Sequence, residues 1–233
     1  MVCLQYGLFL SRKTIINCIK MLNMRLKIIF VFLMLLCLSE GVRAFTVLPA
    51  DTIWRLEKDK NGVKVYTRPV EGMTIKEFKA VVIINAPVSK LLSMVMDVVA
   101  YPKWVANVKS VKILKESGND EVIYYTEIQV PWPLSNRDNI IRSKIVNDSA
   151  TGIVKVIMTG KPDYLPEYSG IVRIPNAGGY WHFSPLEDGK VEVVMQYLAD
   201  PAGNIPDWVV NMFVVDGPYK TFLKMREIAE EKE

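Results

Sequence analysis

From Val63 onward, apolar and polar side chains alternate in short runs, the period-two signature of strands with one buried face. Val63, Val65 and Thr67 alternate with Lys64, Tyr66 and Arg68, and residues 75–84 (IKEFKAVVII) make a second, longer run. Further runs fall at about 109–115, 121–130, 138–147, 152–160, 170–175, 180–184 and 190–199. Gly118-Asn119-Asp120, residues 148–152 and Glu187-Asp188-Gly189 punctuate them as turns. Connections this short favour an antiparallel sheet. Helical spacing shows elsewhere. Asp51 is placed to cap a short helix containing Trp54 and Leu56 and ended by Asn61-Gly62. Ala86-Pro87 opens a helix with Val88, Leu91, Leu92 and Val95 on one face, Pro87 standing in the first turn. Tyr101-Pro102-Lys103-Trp104 reads as a break and a second short helix.

The tail after Pro206 is helical, with Trp208, Met212, Val215, Tyr219, Phe222 and Met225 on one wide stripe. Gly217-Pro218 interrupts it, so a kink is expected there. This α+β order has few compact solutions. A sheet that curls around the terminal helix buries the stripe without a second layer, and on pattern alone the stripe is core packing.

Two loops add specificity. Pro131-Trp132-Pro133-Leu134-Ser135-Asn136-Arg137-Asp138 joins two strand-like runs and sets an Arg-Asp pair at the mouth of the second. Pro162-Asp163-Tyr164-Leu165-Pro166-Glu167-Tyr168-Ser169-Gly170 is a proline-rich loop between two others. With the terminal helix, over residues 52–230, this order resembles the START family, lipid-binding domains related to the steroidogenic acute regulatory protein. The resemblance implies the helix-grip fold: a curved antiparallel sheet wrapped around a long C-terminal helix, enclosing an apolar cavity. It implies non-catalytic binding and transfer of a lipid or other apolar small molecule, with no cofactor. The birch-pollen-allergen and polyketide-cyclase-like groups resemble the same arrangement. The rival reading is therefore a cyclase- or hydrolase-type enzyme with Glu127 or Asp138 as general base.

Site residues follow from both sources. Parity places Ile123, Tyr125, Glu127 and Gln129 on one strand face and Tyr124, Thr126 and Ile128 on the other, which makes Glu127 an outer-face glutamate. The resemblance points the other way, to a cavity-facing acid on this strand. Arg137 and Asp138 match the family's pair, but the family's second cavity-facing arginine aligns with Ser143, and the chain has Arg142. One residue of register reverses a side chain's face. Either a bulge returns Arg142 to the cavity or Glu127 pairs with Arg137. Tyr164 and Leu165 resemble the family's lid loop, closing the cavity or touching a membrane transiently. Trp104, Trp181, Trp208, Met212 and Tyr219 complete the expected ligand-binding set.

Composition removes other chemistries. His182 is the single histidine and no G-x-S-x-G occurs, so a hydrolase triad lacks its nucleophile elbow. Gly178-Gly179 reads as an isolated turn pair rather than a phosphate loop. The three cysteines all precede Phe45, which leaves no thiolate or multi-histidine metal site after it. Residues 1–44 read as a leader. Arg25 and Lys27 precede an unbroken apolar run at 28–38, then Ser39-Glu40-Gly41 and Val42-Arg43-Ala44, the order of a secretory signal. That run is short of the roughly 17–25 residues that span a bilayer, although a membrane anchor through 28–38 is the alternative. Translation from Met21 or Met24 is the simplest account of the stretch before it. Export to the periplasm is expected, with one domain over residues 45–233. Six of the 29 Lys+Arg and one of the 25 Asp+Glu lie before Phe45, leaving 23 against 24. The basicity belongs to the leader, so a nucleic-acid partner is not expected. A monomer is.

Overall fold

The computed structural model describes residues 53–231 apart from 74, 149 and 204. The leader, its boundary at residue 45 and the cap at Asp51 lie outside the described residues. Strand β1 (Arg55–Lys60) pairs with β2 (Val63–Arg68) through Asn61-Gly62. Both turn residues have positive φ, 53° and 71°, as a two-residue hairpin turn of the Asn-Gly type requires. The helix expected around Trp54 and Leu56 is therefore a strand. The turn chemistry and the ladder to β2 outweigh a weak helical spacing that leaves Leu56 exposed.

Strand β3 (Glu77–Ile84) leads into helix α1 (Val88–Met96), whose extended Pro87 forms the cap itself rather than the first turn. Helix α2 (Tyr101–Trp104) follows. Then come β4 (Val108–Ser117), β5 (Glu121–Ile128), β6 (Arg137–Asp148) and β7 (Ile153–Gly160). Short β8 (Val172–Arg173), β9 (Ala177–Pro185) and β10 (Val191–Ala199) complete one sheet. Its order is β1-β2-β3-β10-β9-β7-β6-β5-β4, antiparallel along this path, with β8 running parallel beside the start of β6. Gly178-Gly179 is not a turn but part of β9. A side chain at Gly179 would run into the Gln196 carbonyl of β10, so glycine there permits a close approach of two strands.

The terminal segment is α3 (Asp207–Asn211), a π-helical stretch (Met212–Asp216) and α4 (Gly217–Glu230). The interruption expected at Gly217-Pro218 takes the form of this wide turn, in which Gly217 N–H donates to the Met212 carbonyl. A Cβ at Gly217 would lie 2.9 Å from that oxygen, so the turn requires glycine. The lower half of α4 seals a solid core. Phe222, Met225 and Ala229 pack with Val63, Val82, Leu91, Val95 and Val193, and Phe222 stacks on Trp181 with ring centroids 5.5 Å apart. The upper half faces space instead.

No helix among the described residues is long and apolar enough to cross a membrane.

Candidate functional site

Two partly open chambers lie between the sheet and the upper half of the terminal segment. The larger, about 150 Å³, is walled by Tyr124, Thr126 and Ile128 of β5, Asn139 and Ile141 of β6, and Trp181 and Met195 behind them. Phe213, Gly217, Pro218 and Thr221 close it from the helix side. The smaller, about 100 Å³, continues toward Ile75, Arg137, Ile174 and Pro201. Phe78, Ile128, Asn139, Tyr197 and Phe213 line both, so the chambers are neighbours across a shared wall. Outside lies an open groove of about 670 Å³, with Lys103, Trp104, Gln129, Pro131, Met212, Lys220 and Lys224 around it. Residues 105–108 line both this groove and the larger chamber. Ala106 N–H donates to Thr221 Oγ1 at 3.0 Å, tying that partition to the terminal helix.

The lining of the larger chamber is apolar with a few neutral polar groups. Tyr101 OH donates to the Val95 carbonyl at 2.7 Å, and Ser143 Oγ lies 3.4 Å from Tyr124 OH. Burial raises the pKa of Tyr101, Tyr124 and Tyr197, keeping all three neutral phenols. Asn139 Nδ2 donates to Tyr197 OH at 3.5 Å, while its buried Oδ1 has no partner. Two cations border the smaller chamber, Lys76 at its exposed side and Arg137 in its buried wall. Arg137, 4% exposed, gives its N–H groups to the carbonyls of Pro201, Ser135 and Ala202, and burial lowers its pKa. It clamps the loop before the terminal helix to the loop before β6.

Several expected ligand contacts lie elsewhere. Glu127 accepts from Lys109 Nζ at 2.9 Å and Asn136 Nδ2 at 2.7 Å on the face away from the chambers. The Asn136 hydrogen bond, then Lys109, lowers its pKa. Arg142 pairs with Glu121 at 2.5 Å on the same outer side. The β5–β6 register runs unbroken from Glu121↔Lys144 to Ile128↔Arg137, so no bulge turns Arg142 inward and parity decides both residues. The expected Glu127–Arg137 pairing does not form either, because alternation separates them across the sheet. Asp138, opposite Glu127, is held by Arg173 at 2.6 Å, with both side chains almost fully buried. Neither candidate general base lines a chamber.

Arg173 explains the proline-rich loop as well. It donates to the carbonyls of Pro162, Leu165 and Pro166, while Leu165 packs on Ile123, Tyr125 and Ile140, an outer cluster separate from the main core. Tyr164 is exposed. The loop expected as a lid is fastened to the back of β5 and β6, not over the chambers. On the terminal segment, the extra residue of the π turn rotates the inward face to Phe213, Gly217, Pro218 and Thr221. Met212 and Trp104 border the open groove, Trp208 is half exposed, and Tyr219 OH accepts from Asn61 Nδ2 at the β1–β2 turn. Of the expected ligand-binding residues, Trp181 lines the larger chamber and Arg137 the smaller. Sequence reasoning missed Asn139, Tyr197, Phe213 and Arg173. Asn139 carried a signal: it shares the parity of Arg137 and Ile141 and puts an amide on an inward face.

The START domain family model matches residues 47–232. An uncharacterised protein of Pseudomonas aeruginosa is 36% identical over 179 residues, covering 77% of this chain and 88% of that one. The phosphatidylcholine transfer protein of Rattus norvegicus is 29% identical, covering 73% and 80%. Among solved structures, a STAR-related lipid transfer protein fragment from Xanthomonas axonopodis is 35% identical with a TM-score of 0.69, covering 76% and 99%. Human StAR-related lipid transfer protein 5, at 18% identity and a TM-score of 0.66, shares the fold. The chain belongs to the START domain family.

Proposed function

We propose that this START domain binds an apolar small molecule, foremost a lipid, between its sheet and terminal helix and carries it between membranes. The observation that carries this reading is the pair of adjacent chambers between sheet and terminal helix, walled mostly by apolar side chains with a few polar groups. Such a lining supplies affinity from apolar area leaving water, about 25 cal/mol per Å². A few neutral groups fix orientation. Each chamber is smaller than the roughly 300–1,000 Å³ of typical ligand sites. Loading therefore involves moving Phe213, which stands in the wall between them. The relatives named as lipid transfer proteins support transfer for this chain too.

The same reading places the protein in the periplasm as a monomer, released from the leader before Phe45. A transient membrane contact is supported by Trp132, which is 91% exposed on its loop, and by Lys103, Lys220 and Lys224 around the open groove. An indole at the interface and lysines against anionic headgroups are the two ingredients of reversible surface binding. Catalysis has no specific support, because Glu127 and Asp138 are engaged by Lys109, Asn136 and Arg173 away from the chambers.

Native mass spectrometry of protein purified without detergent, then transfer of labelled lipid between vesicles, tests the proposal. Copurified lipid at one per chain and faster exchange are expected. A chain that neither retains nor accepts any lipid would overturn it.

A further inference from the structure

We infer that the ligand's polar end is an uncharged hydroxyl, held by Asn139 and Tyr197 where the two chambers meet. This rests on the lipid-carrier reading and names the ligand class for it.

Asn139 is 6% exposed and its Oδ1 is the one buried side-chain polar atom, among the described residues, without a hydrogen-bond partner. It lines both chambers, as does Tyr197. An amide oxygen left buried and unpaired costs free energy that a ligand donor recovers. Tyr197 OH accepts from Asn139 Nδ2 at 3.5 Å, which leaves its own proton free to donate. Together they offer one acceptor and one donor side by side. A hydroxyl is the group that answers both, donating to Oδ1 and accepting from the phenol.

Charge argues the same way. Glu127 and Arg142, the ionised groups that would grip a charged headgroup from this part of the sheet, stand on its far face with Lys109, Asn136 and Glu121. The larger chamber has no ionisable lining other than tyrosines, and burial keeps Tyr101, Tyr124 and Tyr197 neutral. Position 143, inward-facing and buried, is a serine. Two cations border the smaller chamber, and both are engaged: three backbone carbonyls take the N–H groups of Arg137, and the half-exposed Lys76 lies 3.6 Å from Glu57. A headgroup carrying both phosphate and ammonium would bring the ammonium to chambers whose linings hold no carboxylate.

A sterol and a diacylglycerol both present this chemistry, a single hydroxyl on an apolar body. The test measures binding of dehydroergosterol and 1,2-dioleoylglycerol to delipidated protein, each beside its acetate ester, which lacks the hydroxyl. Dioleoylphosphatidylcholine and ionised palmitate serve as charged comparators. One alcohol is expected to bind about tenfold tighter than its ester, the scale of one buried hydrogen bond; which alcohol it is separates sterol from glyceride. In Asn139→Leu that preference falls to near unity while the ester binds unchanged. Tyr197→Phe, which removes only the oxygen, guards against a misfolded Asn139 variant and should reduce the preference several-fold. Phosphatidylcholine or palmitate binding as well as the alcohols, with no effect of Asn139→Leu, would overturn this inference and leave the carrier reading standing. Binding of no lipid at all would overturn both.

Discussion

The Asp138–Arg173 pair is the most deeply buried ionic contact described, and it ties β6 to β8 and to the proline-rich loop at once. Removing one partner leaves a charge in a dry site, which typically costs about 3–5 kcal/mol. Arg173→Met should therefore lower unfolding free energy in urea by about that amount. The double variant Asp138→Leu with Arg173→Met should recover part of the loss, since the stranded carboxylate is gone. His182 is a second residue with a measurable signature. Burial, then Lys155, depresses its pKa below the usual 6.5, so the folded state holds a neutral imidazole to lower pH than the unfolded chain does. Below 6.5 the unfolded state takes up the proton first, and stability falls as pH drops until the folded pKa is passed. Thermal melts at pH 5.5 and 7.5 should show this loss, and His182→Gln should shrink the difference between them.

At the scale of elements, two segments exchange the roles that pattern suggested. The loop at 162–166 looks like a lid because Tyr164 and Leu165 are apolar among prolines. Three carbonyls on Arg173 and the packing of Leu165 fasten it to the outer cluster instead. Replacing both residues with Ser should leave lipid transfer between vesicles unchanged, with a modest loss of stability from Leu165 of about 1–2 kcal/mol, the range for a partly buried side chain. The π-helical stretch, by contrast, stands over the chambers. Phe213 lines both, so Phe213→Ala should merge them. Its cost should fall below the about 3–5 kcal/mol of a solidly packed Phe→Ala, because one side of the ring already faces space. A chemical melt gives the cost, and a rise in the size of lipid retained, read by native mass spectrometry, reports the merged volume.

For the whole molecule, ligand binding and folding are linked. A lipid held at a hundred times its dissociation constant raises unfolding free energy by about 2.7 kcal/mol, so delipidated protein should melt lower and recover on reloading. The proposed export makes a separate prediction: intact mass of the envelope-fraction protein should correspond to a chain beginning near Phe45, and a chain keeping residues 28–38 would mean an anchor. Much of the fold was legible because period-two runs and turn residues are local properties. The strand runs from β2 onward, most of their turns and the terminal helix each follow from a few neighbouring side chains, and the order of these elements supplies the curl of the sheet. The face of Glu127 was legible too, by parity within one strand; the family resemblance pulled it inward, and the unbroken β5–β6 register returned it. Asn61-Gly62 suits both a hairpin and a helix end, and only the ladder between β1 and β2 on its two sides decides for the hairpin. What the sequence could not determine depends on contacts between distant segments. Arg173 and Asp138 meet across 35 residues. The π turn shifts the lining from Met212 and Tyr219 to Phe213 and Thr221, because one added residue per turn rotates every later side chain. Only the tertiary structure sets Asn139 beside Tyr197, 58 residues away, with an oxygen unpaired. An unpaired atom is defined by every group that fails to reach it, and no local stretch of sequence contains that information.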